Sequence, residues 1–309
     1  MKILVPINES KHSLAAVDFV AARSALVGRE PEVLLFTAQW PVPRDMVRIV
    51  GRGKLRTFHD RSAERVFRPA LQTLAKAKLA AQTISVAGHP GREIANAAQK
   101  KRVDLIVMAS HGQGPVSGFL FGSVTNAVLA HSKTPLLILR DRRVPKQAWL
   151  RIGIAVDGSK YGAAAVRFVL KHRALFGLSE KNAPAASSAS TVSLIHVVPD
   201  FRTVVTTDLG ATALPAYTEE QLESMRVSAF ESGFAGAREQ LRRAGIASDE
   251  VRLAGSPGDR IAAFAKEQKL DVLVMGSHGH GAFAAAVLGS VAMRVATKCR
   301  TPLLLIRRA

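Results

Sequence analysis

The chain repeats itself, and that repeat limits the fold more than any other feature. The run Val103-Asp104-Leu105-Ile106-Val107-Met108-Ala109-Ser110-His111-Gly112 returns 167 residues later as Leu270-Asp271-Val272-Leu273-Val274-Met275-Gly276-Ser277-His278-Gly279. The same offset relates Gly88-His89-Pro90-Gly91 to Gly255-Ser256-Pro257-Gly258, and Thr134-Pro135-Leu136-Leu137 to Thr301-Pro302-Leu303-Leu304. Near the front of each copy the offset falls to 149, pairing Asn8 with Asp157. The second copy therefore carries 18 extra residues between these anchors, and the polar run 179–190 reads as the obvious part of them. A duplication across 309 residues predicts two similar domains, 1–144 and 148–309, with a linker at 141–147.

Each copy parses in the same way. An apolar strand opens it (3–7 and 152–156), then a helix from about Ser10 and Ser159, where a serine oxygen can accept the free N–H groups. A second strand (33–37, 192–197) precedes a long helix near 54–80 and 218–244. A third strand lies near 83–86 and 250–253, and a helix follows with Pro90 or Pro257 in its first turn. A fourth strand ends at Met108 or Met275, and a glycine-bearing loop, a last helix and a fifth strand (136–139, 303–306) close the unit. Unbroken apolar strands alternating with helices predict an α/β fold: two tandem five-stranded parallel sheets, covered on both faces and packed as a pseudo-dimer. Such open sheets bind ligands at the carboxyl ends of their strands, near the switch in strand order.

The chemistry-bearing residues of the second copy fall at those ends. After strand four, Gly276, Gly279 and Gly289-Ser290 follow the pattern Gly-x2-Gly-x9-Gly-Ser. Glycine lets backbone N–H groups approach phosphate oxygens, and a helix opening at Gly289-Ser290 presents free N–H groups and a positive dipole end. No Gly-x4-Gly-Lys-Ser/Thr loop occurs, and the glycines do not follow the first strand as a dinucleotide fingerprint would.

With Val156-Asp157-Gly158-Ser159, Leu194-Ile195-His196-Val197-Val198, Gly255-x-Pro-Gly258, Gly289-Ser290-Val291 and Thr301-Pro302-Leu303, these residues resemble the universal stress protein family, in its tandem two-domain form. The resemblance spans nearly the whole chain. It implies a Rossmann-like unit, of the adenine nucleotide alpha hydrolase-like kind, holding ATP across the strand ends. It places Ala155, Val156 and Asp157 at the adenosine end and Val197 in the adenine slot. Met275, Gly276, His278, Gly279, His280, Gly289, Ser290 and Val291 would take ribose and phosphates.

The first copy departs from this pattern. Its matching positions are Pro6, Ile7, Asn8, Ala38, Met108, Gly112, Gly122, Ser123 and Val124. Asn8 keeps one acceptor oxygen but lacks the charge of Asp157. Ala109 stands where Gly276 does, and Phe36-Thr37-Ala38 replaces Ile195-His196-Val197, leaving a shallower adenine wall. The first site is therefore expected to be weakened or empty, although three phosphate-side features survive.

Composition narrows the function. The formal charge is +19, with 22 basic and 10 acidic residues in 1–144 and 21 and 14 in the rest, so anionic partners are favoured. Residues 44–68 are densely basic: Arg44, Arg48, Arg52 and Arg56, then Arg61, Arg65 and Arg68. Gly51 and Gly53 argue against one continuous helix there, and Pro69 is expected to kink or end it. Two tryptophans and no ribonucleoprotein or helix-turn-helix motif argue against nucleic acid. The histidines show no metal spacing, so no metal site is expected, and Mg²⁺ would enter only with ATP phosphates. No membrane span or signal peptide is read, and one cysteine, Cys299, fits a reducing, cytoplasmic setting. No catalytic residue is assigned, because neither His111 nor His278 has a partner carboxylate legible in the sequence. The expectation is an ATP-binding, nucleotide-responsive regulator of a stress response with an unidentified protein partner, a further homodimer being left open. Its alternatives are a slow ATPase and a scaffold with vestigial sites that binds an acidic partner.

Overall fold

The computed structural model describes the chain except for residues 24–25, 27–29, 43, 111–120, 141–143, 146, 179–191, 201–217, 280–287 and 308–309. His111, Gly112 and His280, the inserted run 179–190 and most of the basic linker lie outside the described residues. The chain divides into two compact units, Met1–Ala148 and Trp149–Ala309.

The N-terminal unit runs β1 (Lys2–Pro6), α1 (Leu14–Ala21), β2 (Glu32–Gln39), α2 (Arg44–Val50), α3 (Arg52–Lys76), β3 (Ala81–Ala87), α4 (Pro90–Lys100), β4 (Leu105–Ala109), α5 (Ser123–His131) and β5 (Leu136–Leu139). The C-terminal unit runs β6 (Ile152–Ala155), α6 (Lys160–Lys171), α7 (Arg173–Phe176), β7 (Val192–Val198), α8 (Glu219–Arg243), β8 (Asp249–Ala254), α9 (Pro257–Glu267), β9 (Val272–Gly276), α10 (Ser290–Lys298) and β10 (Leu303–Ile306). The strand order within the units is β3-β2-β1-β4-β5 and β8-β7-β6-β9-β10, and the pairings are parallel. The order reverses between β1 and β4 and again between β6 and β9, so a cleft opens beside each junction.

The strands form because they can be buried on both faces. Leu4, Leu34, Leu105 and Leu137 in one unit, and Ile154, Leu194, Val274 and Leu304 in the other, have no exposed surface. Pro90 and Pro257 open α4 and α9, where a missing N–H costs nothing. The glycine after each proline serves helix packing: a Cβ on Gly91 would strike the Ala127 Cβ of α5, and one on Gly258 would strike the Arg294 Cβ of α10. Thr218 and Gln221 form a capping box on α8, with Gln221 N–H donating to Thr218 Oγ1 at 3.2 Å and Thr218 N–H to Gln221 Oε1 at 2.8 Å.

Two expectations are corrected, and a third, the interruption of the basic run, is met at Gly51 and not at Gly53. The helix expected from Ser10 begins at Leu14, whereas its counterpart begins at Lys160, straight after Ser159. Ser13 occupies the place of Gly162. Its hydroxyl lies 2.9 Å from both the Asn8 and the Ser10 carbonyl, and the residues before Leu14 close i→i+3 turns, with Ser13 N–H donating to the Ser10 carbonyl at 3.1 Å and Ala16 N–H to the Ser13 carbonyl at 3.2 Å. Pro69 does not end its helix, because α3 runs on to Lys76. The basic run is broken at Gly51, whose φ of 86° suits glycine, and Gly53 is absorbed into α3.

The two helices flanking the C-terminal cleft are clasped by charge. Asp259 accepts from Arg294 through both oxygens at 2.9 Å and from Lys298 at 2.7 Å, which holds its carboxyl far below the carboxylate range. On α8, hydrogen bonds from Arg242 and then Arg243 lower Glu239 from 4.5 to about 2. A carboxylate depressed in the folded state adds stability above its unfolded pKa and loses it as pH falls through the folded one. Thermal melts should therefore show an acid limb starting near pH 4.5 for Glu239. Glu239→Gln should flatten that limb slightly, as surface pairs contribute little. An unchanged limb would remove Glu239 from the account.

Among the described residues no helix is long and apolar enough to cross a membrane.

Candidate nucleotide site

The C-terminal cleft is built at the ends of β6 and β9, where Ala155 pairs in register with Met275. The ladder continues one residue past β6, with Val156 N–H donating to the Ile195 carbonyl at 2.9 Å. The chain then turns. Ser159 N–H donates to Asp157 Oδ1 at 3.0 Å, and Gly162 N–H donates to Ser159 Oγ at 3.3 Å. This side-chain turn orients the Asp157 carboxylate and starts α6 together.

A cavity of about 230 Å³ opens there. Val156, Val197, Ile261 and Met275 give it an apolar side, while Asp157, Ser277, His278 and Ser290 give it a polar one. Of the residues singled out by sequence, Ala155, Val156, Asp157, Val197, Met275, Gly276, His278, Gly279, Gly289, Ser290 and Val291 all line it.

At Gly276 and Gly279 a side chain would not fit, and at Gly289 it would be crowded. A Cβ on Gly276 would lie 2.6 Å from Tyr161 Cβ and 2.9 Å from the His278 carbonyl oxygen. On Gly279 it would lie 2.8 Å from Asp157 Oδ2, and on Gly289 3.3 Å from His278 Cα. Gly289 N–H donates to the Ser277 carbonyl at 2.8 Å, which pins the start of α10 to the end of β9. Ser277, fully buried, has its hydroxyl 2.9 Å from His278 Nδ1, and the Tyr161 ring lies beside that imidazole at 5.7 Å.

Sequence reasoning gave no role to His196, and the structure supplies one. Its Nδ1 lies 2.7 Å from the Val156 carbonyl, so the ring donates there and steadies the floor of the cavity. The rings of Phe230 and Phe234 in α8 meet it edge-on, at 5.9 and 5.6 Å. Gly233 lies so close that any Cβ would overlap the imidazole. The available signals were a polar residue inside an otherwise apolar strand and a glycine inside a long helix. Gly162 was missed as well; a Cβ there would come 3.2 Å from Asp157 Oδ1.

The N-terminal unit has a cleft at the same place, larger at about 550 Å³. Pro6, Ile7, Asn8 and Ala38 line it from β1 and β2, and Met108, Gly122, Ser123 and Val124 from β4 and α5. Its details differ. Asn8 N–H donates to Ser13 Oγ at 3.2 Å, and Asn8 Oδ1 accepts from Ser10 N–H at 3.0 Å. Thr37 replaces the imidazole of His196, and Ala109 carries a Cβ where Gly276 carries none. Trp40 stands at the rim with its ring edge-on to His89 at 5.2 Å, where the other unit has Pro199 and Ser256.

Comparison with known proteins agrees with this architecture. The family model described as universal stress protein family matches residues 1–140 and 149–307. A universal stress protein of Mycobacterium tuberculosis strain ATCC 25618 / H37Rv is 26% identical over 318 residues, covering 99% of this chain and 96% of its own. One from Bacillus subtilis strain 168 is 31% identical over 150 residues, 45% of this chain and 98% of its own. The crystal structure of a universal stress protein from Archaeoglobus fulgidus DSM 4304 superposes with a TM-score of 0.67 at 23% identity, covering 100% of this chain and 98% of that one. With two matched segments spanning the duplicated halves, the chain belongs to the universal stress protein family.

Proposed function

We propose that the C-terminal unit binds ATP and that this occupancy makes the protein a nucleotide-responsive regulator. One observation carries the reading: Gly276, Gly279 and Gly289 line a cavity at the strand ends, where a Cβ on Gly276 or Gly279 would collide with Tyr161 or Asp157 and one on Gly289 would crowd His278. Without a Cβ on Gly279 the main chain of that loop can approach an anion closely, while the Gly289 N–H is already given to Ser277. Val156, Val197, Ile261 and Met275 form an apolar wall suited to a purine, and the fixed Asp157 carboxylate suits paired hydroxyls. Ser290, at the head of α10, suits a phosphate oxygen. Among the described residues no cluster of three His, Cys, Asp or Glu could hold a metal, so Mg²⁺ would be carried by the phosphates.

Hydrolysis would need a base placed near the terminal phosphate. His278 lines the cavity and is one candidate, and its Nδ1 is engaged with Ser277 Oγ. Regulation is therefore favoured over turnover. Protein purified without added nucleotide, denatured gently and analysed by mass spectrometry, should release adenine nucleotide at close to one equivalent per chain. ATP retained intact over hours supports regulation. Steady phosphate release that Gly279→Val abolishes would make the protein an ATPase, and a protein free of nucleotide that binds none on titration would leave a scaffold.

A further inference from the structure

The strongest charge feature outside the two clefts lies at the corner where α2 meets α3. Residues 44–61 hold six basic side chains and two acidic ones. Arg48, Lys54, Arg56 and Arg61 are exposed there, and none of the four forms an ion pair among the described residues. The cations farther along α3 are paired, Arg68 with Glu64 at 2.8 Å and Arg65 with Glu9 at 3.9 Å, and so are those of the matching helix in the other unit. On α8, Arg226 pairs with Glu223, Arg238 with Glu231 and Glu250, and Arg242 and Arg243 with Glu239.

The same corner displays large apolar side chains. Ile49 is 84% exposed and Phe58 60%, with Val50 beside them and Trp40 just before α2. Lys54, Phe58, Arg61 and Arg65 recur at spacings of four, three and four, so they share one stripe of α3. Gln39 Nε2 donates to the His59 carbonyl at 2.9 Å, which ties that stripe to the end of β2 and so to Trp40.

We propose that this corner is a docking surface for an anionic lipid bilayer. Ile49 and Phe58 enter the headgroup boundary, while Arg48, Lys54, Arg56 and Arg61 lie over lipid phosphates. An aliphatic side chain so fully in water is unfavourable unless something covers it, and unpaired cations around it favour a negative cover. A second copy of the chain would bring like charge against like charge. Nucleic acid would use the cations and could stack on Phe58, but it offers nothing to Ile49. A bilayer satisfies both kinds of group at once, because its anionic face overlies hydrocarbon. This proposal stands apart from the nucleotide reading, since none of these residues is among those assigned to the C-terminal cleft.

The test is co-sedimentation of the full chain with vesicles of phosphatidylcholine alone and of equimolar phosphatidylcholine and phosphatidylglycerol. Binding is expected only to the anionic vesicles and should fall as salt rises. Each cation removed should weaken partitioning about fivefold, so Arg48→Gln with Arg56→Gln should cost about twenty-fivefold. Ile49→Ser with Phe58→Ser keeps the charge and should cost about tenfold or more. All four positions are exposed, so circular dichroism should show both variants folded. No binding to anionic vesicles overturns the proposal. So does a serine variant that binds as well as the parent, which would mean adsorption by charge alone. Equal, salt-sensitive binding to polyglutamate or to single-stranded RNA that also depends on Ile49 and Phe58 would replace the bilayer with a macromolecular partner and overturn it too.

Discussion

Gly276→Val should abolish nucleotide binding by the C-terminal cleft and lower the melting temperature of that unit. The smallest side chain already fails at this position. A Cβ would lie 2.6 Å from Tyr161 Cβ, 2.9 Å from the His278 carbonyl oxygen and 3.2 Å from the Tyr161 carbonyl carbon. Tyr161 sits in the first turn of α6, which Ser159 and Asp157 hold in place, so it cannot swing aside as a long side chain could. Relief must come from separating α6 from β9, and overpacking of this kind costs about 1–3 kcal/mol. The same separation widens the gap between Asp157 and the glycine loop, the two walls of the cleft. Titration calorimetry with ATP should show no heat of binding for a variant that circular dichroism shows to be folded. The N-terminal unit supplies the control. Its Cβ at Ala109 is native, so Ala109→Gly should leave ATP binding by the chain unchanged. A folded Gly276→Val protein with undiminished affinity would mean that the cradle is not where nucleotide sits.

Much of this was legible in the sequence, because the repeat states each unit twice. Strands such as β4 and β9 are runs of large aliphatic residues, and no helix face of ordinary amphipathic pattern accounts for them. The glycines of the cleft could also be read, since their spacing in a strand-to-helix turn has a mechanism behind it. The sequence could not show what each glycine avoids. Gly279 faces a carboxylate, Gly258 faces a neighbouring helix, and Gly233 faces the His196 imidazole, yet all three are the same letter. These reasons are tertiary, set by segments far apart in the chain. The start of α1 was misplaced for a similar cause. Ser10 has the right chemistry for a cap, and Ser13 N–H does donate to its hydroxyl, at 3.4 Å. But Ser13 stands where Gly162 allows the close approach of α6 to Asp157, and its hydroxyl takes up the Asn8 backbone instead. Pro69 misled because a proline removes one hydrogen bond, whereas α3 is held by the packing of Ala63, Phe67, Ala70 and Leu74.

The two clefts therefore should not respond alike to loss of their first-strand polar residue. Asp157→Ala should weaken ATP binding by at least about tenfold, whereas Asn8→Ala should leave the measured isotherm nearly unchanged. A carboxylate accepting hydrogen bonds contributes about 1.5–3 kcal/mol, roughly ten- to a hundredfold in affinity, and Asp157 is the charged member of the pair. Its Oδ1 accepts from Ser159 N–H, and its Oδ2 lies where a Cβ on Gly279 would come within 2.8 Å of it, so the carboxylate faces the glycine loop. Among the described residues the Asn8 side chain makes only the equivalent turn, to Ser10 N–H, and its backbone is engaged by the Ser13 hydroxyl. Some loss on Asp157→Ala could come from a weakened start to α6, so Asp157→Asn is the sharper variant. It keeps the acceptor for Ser159 and removes only the charge. If charge is what the ligand reads, Asp157→Asn should bind nearly as weakly as Asp157→Ala, with an unchanged melting temperature in the absence of nucleotide. Two equal sites in the parent protein, or an Asn8→Ala loss matching that of Asp157→Ala, would show that the wider N-terminal cleft holds nucleotide without a carboxylate. The proposed asymmetry between the repeats would then have to be abandoned, because a neutral amide would have proved sufficient.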